Sequence, residues 1–233
     1  MTAVAALGFQ SCTDWDDHYD VTTDGSGVSD QTLWEQISNN PKLSNFAALM
    51  KKVGYDKALS TNQSYTVWAP SNDAFDFEKY NAMSDSLLKA EFLNNHIARG
   101  YHRATGEINE RVHLLNKKVM AFQGNGRYTL GNIAIDSTNM LGKNGIIHLM
   151  SSYMDFRPNF YEEFLRNENT TSLAQLYKSA MKREIDKENS IEGPIKDGAM
   201  TYLDTVYVES NKMFNYLNSK LTTEDSTYTM IVP

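Results

Sequence analysis

The chain has 233 residues, 41% hydrophobic and 11% aromatic, with a formal charge of −7. That length holds one large domain or two ordinary ones, and the apolar fraction is enough for a packed core. Scattered Lys and Arg in an acidic chain give no basic stripe for nucleic acid, and no apolar run approaches the roughly 18 residues a membrane-spanning helix needs. Residues 13–29 (TDWDDHYDVTTDGSGVS) are polar and aperiodic, and read as a flexible acidic tether. Leu33, Trp34 and Ile37 have helical spacing, with Ser29 or Asp30 as the expected N-cap. Asn40-Pro41 reads as a cap followed by proline at the first helical position. Leu43, Phe46, Leu49, Met50 and Val53 continue at spacings of three and four until Gly54.

Tyr65 to Ala69 alternates as a strand that Pro70 ends, because proline has no N–H for the ladder. Ser71-Asn72-Asp73 carries capping residues, so Ala74 and Phe75 are expected to open a short helix. Ser84 to Ile97 is expected to form one amphipathic helix, closed by Gly100. From Leu114 the period becomes two. Val119, Ala121 and Gln123 lead into a hairpin at Gly124-Asn125-Gly126; Tyr128 and Leu130 return, and Gly131-Asn132 turns before Ile133 to Ile135. Asn144-Gly145 precedes the apolar run Ile146 to Met150. Helices followed by a strand-rich half imply an α+β fold.

Residues 156–161 (FRPNFY) mark a boundary. Tyr161, Phe164, Leu165, Leu173, Leu176, Tyr177 and Met181 then resume helical texture, and the polar stretch Lys182 to Asp197 reads as an interruption. Tyr202 to Val208 alternates like a strand, and Met213 to Leu221 is again amphipathic. The chain ends in YTMIVP (228–233), which restates YTVWAP (65–70) and stops at its proline.

These phrases resemble the fasciclin-type domain. Its first box is a strand of the form Tyr-Thr-Val-Phe-Ala-Pro followed by Thr/Ser-Asn-x-Ala-Phe. Here Tyr65, Thr66, Ala69, Pro70, Asn72, Ala74 and Phe75 match, with Trp68 in place of the usual Phe. The family's middle motif is a helix ending in an aromatic–His pair; His96 keeps the histidine, but Asn95 replaces the aromatic. The second box, Asn-Gly-x-x-His before an apolar stretch, is matched by Asn144, Gly145 and His148. The resemblance implies a fasciclin-like fold over 30–156, with helices packed on a β-sandwich or wedge. Residues 157–233 resemble the N-terminal part of a second such domain. A chain truncated in that second domain is the expectation, with 157–233 less ordered than 30–156.

The single cysteine, Cys12, follows apolar and then small residues and precedes an abrupt acidic run. Residues 1–12 therefore resemble the remnant of a bacterial lipoprotein signal, with Cys12 as the lipid-attachment residue, despite the absence of Lys or Arg before it. On that reading the true N-terminus lies upstream of Met1. The acidic residues after Cys12 resemble the surface-export signal of Bacteroidetes-type lipoproteins. The other reading is an N-terminal thiol on a cytosolic protein.

Nothing in the sequence supports catalysis. The five histidines (18, 96, 102, 113, 148) include no HExxH or His-x-His pair. Gly124-Asn-Gly126 lacks the third glycine of a dinucleotide loop. Asp14, Asp16 and Asp17 are either a solvated tether or a weak cation cluster without EF-hand spacing. His96 and His148 sit on apolar faces and read as core histidines in preference to metal ligands; the fasciclin resemblance implies that His96 lies near the first-box corner. No metal and no cofactor are expected. The fasciclin resemblance implies a non-catalytic adhesion or binding module with an extracellular protein or glycan partner, and the Cys12 signal resemblance adds a lipid anchor, making the expected protein an outer-membrane lipoprotein at the cell surface. The alternative is an accessory subunit of an outer-membrane glycan capture or uptake complex, which would favour exposed Trp and Tyr platforms. Trp34 and Trp68 are expected to be mostly buried. Thr105 to Arg111 and the Asn139 to Lys143 turn are the exposed loop candidates.

Overall fold

A computed structural model describes residue 27, residues 29–166, 172–187 and 190–213, and the single positions 215, 221, 224 and 229. Cys12, most of the tether and nearly all of YTMIVP lie outside the described residues, as does most of the amphipathic run ending at Leu221. The chain divides into two compact units, residues 1–155 and 156–233. Secondary structure in each mixes helices with β-sheets, giving α+β.

The first unit opens with α1 (Leu33–Asn39), whose N-cap is Thr32 rather than Ser29 or Asp30. Thr32 and Glu35 form a reciprocal capping box, a three-residue spacing that the apolar periodicity alone does not reveal. Asn40 caps a 3₁₀ turn, Pro41–Leu43, and α2 (Ser44–Lys52) follows, ending before Gly54 at φ 83°. The one-turn α3 (Tyr55–Ala58) precedes β1 (Tyr65–Pro70).

After β1 the expected helix start at Ala74 is a 3₁₀ turn, Asn72–Ala74; the helix itself, α4 (Phe77–Asn81), is capped by Asp76. The single helix expected over Ser84 to Ile97 is replaced by three short pieces: α5 (Asp85–Leu87), a π-helical turn Leu88–Phe92 and a 3₁₀ turn Leu93–His96. Ile97 has already left the helix and begins β2 (Ile97–Arg99). Leu88, Phe92, Leu93 and His96 are all fully buried across the change of winding.

Six strands follow: β3 (Glu107–His113), β4 (Val119–Asn125), β5 (Arg127–Leu130), β6 (Ile133–Ala134), β7 (Ser137–Gly142) and β8 (Gly145–Met150). Strands β3 to β6 form an antiparallel meander, including the anticipated hairpin at Gly124–Gly126. The other sheet has the order β2-β1-β8-β7, with β1 and β8 parallel at its centre. A central parallel pair is covered on both faces, which is why YTVWAP and GIIHLM read as nearly continuous apolar runs.

Alternate residues of β1 enter different cores. Val67 and Ala69 join Ile147 and the helical residues Leu33, Phe46, Leu49 and Phe92. Trp68 joins Val112, Phe122 and Leu130 of the meander. Helices thus cover one face of the central sheet and the meander covers the other.

The second unit holds α6 (Phe160–Arg166), α7 (Ser172–Ser179) and strands β9 (Met181–Ile185), β10 (Ile191–Lys196), β11 (Ala199–Asp204) and β12 (Tyr207–Asn211). The polar stretch read as an interruption is therefore mostly strand. β9 pairs with β12, and β10 turns back into β11 at Asp197-Gly198, both at positive φ. Such a turn suits a two-residue hairpin. Tyr161, Tyr177 and Leu221 form its small buried cluster among the described residues, with Asn211 donating to the Tyr177 carbonyl.

Candidate functional site

The three matched motifs lie on neighbouring strands. β1 carries the first box, β2 begins one residue after His96, and β8 is the second box. Tyr65 pairs with Gly145 and Trp68 with His148. Each motif residue has a traceable structural task.

Asn144 is buried and fully bonded. Its Oδ1 accepts from the Leu33 N–H at 2.8 Å, satisfying a free donor at the start of α1. Its Nδ2 donates to the Leu59 and Thr61 carbonyls, each at 2.8 Å. Gly145 lies at φ 156°, and a Cβ there would meet the Tyr65 carbonyl oxygen at 1.9 Å. No other residue type fits between β8 and β1 at that point.

In the first box, Tyr65 donates its hydroxyl to Gln63 Oε1 at 2.8 Å. The buried Thr66 hydroxyl donates to the Gly100 carbonyl and accepts from the His102 N–H, tying the loop after β2 to β1. Ala69 is fully buried, and Pro70 closes the pairing opposite Met150. Ser71 or Asn72 is the expected cap of the following turn, but Ser71, at the N-cap, makes no side-chain cap bond and Asn72 does not serve that turn. It instead reaches back to α2: Oδ1 accepts from the Asn45 N–H, and Nδ2 donates to the Pro41 carbonyl and Ser44 Oγ. Ala74 packs on the edge of the core, and the Phe75 ring lies 5.0 Å from Phe92 and 6.0 Å from Tyr80.

His96 is fully buried. Its Nδ1–H donates to the Phe92 carbonyl at 2.8 Å, and Nε2 accepts from the Met154 N–H at 3.0 Å. One donor and one acceptor satisfy a neutral ring, and burial pushes its pKa down to about 4. The neighbouring Asn95 donates to the Met154 carbonyl, so the pair grips both backbone groups of one residue. The asparagine standing where the family has an aromatic is thus used in a hydrogen bond.

His148 is equally occupied: Nε2–H donates to the His102 carbonyl at 2.9 Å and Nδ1 accepts from the Asn139 N–H at 3.3 Å. Burial moves its pKa down to about 4, outweighing the bond to the His102 carbonyl, which raises it. Its ring stacks on Trp68 at 5.6 Å. Trp68 is wholly buried and Trp34 half-buried against the helical core.

Sequence reading missed Asn139. It sits at φ 57° in an irregular stretch of β7, and its side chain both accepts from the Ala104 N–H and donates to the Ala104 carbonyl. The Asn139 to Lys143 segment is therefore not an exposed turn: Leu141 and Gly142 are buried in β7, and only Lys143 is exposed. Thr105 to Arg111 is largely exposed, its second half forming the edge of the meander. An asparagine in a strand carries no sequence signal for this role except its tolerance of positive φ. Among the described residues no group of three His, Cys, Asp or Glu side chains is placed to hold a metal ion, and no helix is long and apolar enough to cross a membrane.

Residues 41–155 match the family described as Fasciclin domain. Among solved structures, the chain resembles a FAS1 domain pair from the insect cell adhesion molecule fasciclin I. Identity is 14% and the TM-score 0.41, over 53% of this chain and 50% of that one. The chain thus spans about half the length of that domain pair. No curated protein matches it in sequence.

Proposed function

Residues 41–155 carry a fasciclin domain, and such domains are typically non-catalytic adhesion modules; from this premise we propose that the chain is a cell-surface binding module whose ligand is an extracellular protein. The observation that carries this reading is that the motif side chains described above are spent on the scaffold. Asn144, Thr66, Asn72, His96 and His148 bond to backbone, and each histidine is held as the neutral ring. Such a scaffold holds its surface loops rigidly, and recognition falls to exposed segments such as Thr105 to Arg111. The burial of Trp68 removes one aromatic platform that glycan capture would use, so a protein ligand is preferred to a glycan.

Lipid attachment at Cys12 and display on the outer membrane complete the proposal. Fractionation of cells expressing the native chain and a Cys12→Ala variant tests the anchor: the variant should leave the membrane fraction, and its retention there overturns the lipid reading. Cross-linking on intact cells followed by pull-down tests the binding role. A surface protein recovered with native chain and lost on charge reversal at Glu107 and Arg111 supports it; recovery unchanged by the reversal removes that edge as the binding surface.

We also propose that residues 157–233 are the N-terminal part of a second fasciclin domain, on the strength of YTMIVP restating the first-box strand. Limited proteolysis should cut that region before residues 30–156. Cleavage in the opposite order counts against it.

A further inference from the structure

The meander strand β3 has a carboxylate in an unusual register. Ile108 and Val112 turn toward the second core, and Glu110 occupies the same face between them, paired across the ladder with the buried Phe122. At the rim of that core it meets His102, Nδ1 to Oε1 at 2.7 Å, with side-chain exposures of 16% for the imidazole and 45% for the carboxylate. The other ring nitrogen, Nε2, lies 3.0 Å from the Arg99 carbonyl on β2.

Both ring nitrogens of His102 therefore face acceptors. A neutral imidazole has one N–H, and would leave one contact with oxygen against an unprotonated nitrogen; only the imidazolium donates to both. The ring also lies 5.8 Å from Trp68 of β1, a position in which an aromatic face favours a cation.

We propose that His102 is a proton-operated latch joining the two sheets of the first unit. Protonated, it clasps Glu110 of β3 to the Arg99 carbonyl of β2. Deprotonated, it keeps one of the two contacts and loses the charge that strengthens the Glu110 bond, so the hold on β3 loosens while Gly106 keeps its bond from the Tyr128 hydroxyl. The groups facing it are few. β1 presents Trp68 and the Thr66 hydroxyl, which hold ring and N–H; β8 presents His148, bonded to its carbonyl; β4 presents Phe122 through Trp68. From β3 comes Glu110, among the described residues the one carboxylate paired with the ring, and Arg103 of its own loop is exposed. The backbone at 102 and 104 stays anchored by Thr66, His148 and Asn139 in both states, so the movement is confined to the β3 side. This device is independent of the ligand proposed above.

Hydrogen exchange on the full chain tests it, comparing peptides that cover 105–113 at pH about 5.5 and about 8, after correction for intrinsic exchange. Native protein should lose about threefold protection at the higher pH, the scale of one partly exposed ion pair. Glu110→Gln should abolish the pH dependence while leaving peptides over β1 and β8 protected. Equal protection at both pH values, or an unchanged ratio in Glu110→Gln, overturns the latch. Nitrogen-15 imidazole spectra of the native chain give a check that needs no variant. Both His102 nitrogens should be protonated at the pH where the segment is protected, and a single protonated nitrogen there refutes the proposal.

Discussion

Replacing Asn144 by alanine removes three hydrogen bonds. Asn144 is 4% exposed, and its partners are the Leu33 N–H and the Leu59 and Thr61 carbonyls. Leaving a buried polar group unsatisfied costs about 1–3 kcal/mol. Two of the three contacts are buried, whereas Thr61 is exposed and water can reach its carbonyl. The expected loss is therefore about 3–4 kcal/mol, a large part of the stability of an ordinary domain. For a unit of this size that lowers Tm by about 10–15 °C. Urea denaturation followed by tryptophan fluorescence measures it, since Trp34 and Trp68 both belong to this unit. Asn144→Asp should be at least as damaging at neutral pH, because a carboxylate would face two carbonyls. A loss below about 1 kcal/mol for Ala, or an Asp variant as stable as native, refutes the assignment of Asn144 as the clamp between α1, the loop before β1 and β8.

Gly145→Ala should prevent the first unit from folding, because the added Cβ meets the Tyr65 carbonyl; a cooperative unfolding transition in the purified variant contradicts this. Acid should destabilise the native chain through His96 and His148. Their folded pKa values of about 4 lie below the unfolded value of about 6.5, so the unfolded chain binds more protons between those limits. Their contribution is complete above pH about 6.5 and declines as pH falls toward 4. Urea midpoints at several pH values should therefore have a shallower acid slope in His148→Gln than in native protein; parallel slopes contradict it. Trp68→Phe should cost only about 1–2 kcal/mol by the same urea assay, since the buried indole N–H has no hydrogen-bond partner among the described residues and only packing is lost. A loss above about 4 kcal/mol points to a contact through that N–H.

Local chemistry made much of the first unit legible. Proline at 41, glycine at 54 and the Gly124–Gly126 turn each restrict backbone geometry independently of what packs nearby, and their elements fall where expected. Thr32 displaced the expected cap because a capping box is decided by one side-chain pair. The break-up of 85–96 into three windings was not legible, since an amphipathic stripe fits any of them until Phe46, Phe75 and Tyr80 close around Phe92. The same holds for β3: EINERVH lacks clean alternation because Glu110 shares a face with Ile108 and Val112 at the rim of the core, where it stays part-exposed and pairs with His102. Asn72 kept its capping chemistry but served α2, across a turn of chain that no local pattern encodes.

The pairing of Tyr65 with Gly145 joins residues eighty positions apart at the centre of the sheet. Loop closure over that length must precede most of the stabilising contacts, so the rate of folding is governed by a non-local step. During synthesis β1 emerges long before its parallel partner, with both faces apolar and only the short β2 able to shield one edge. Until Met150 leaves the ribosome, the nascent chain carries an open strand edge, and anything that holds that edge apart from other chains governs the yield of folded protein.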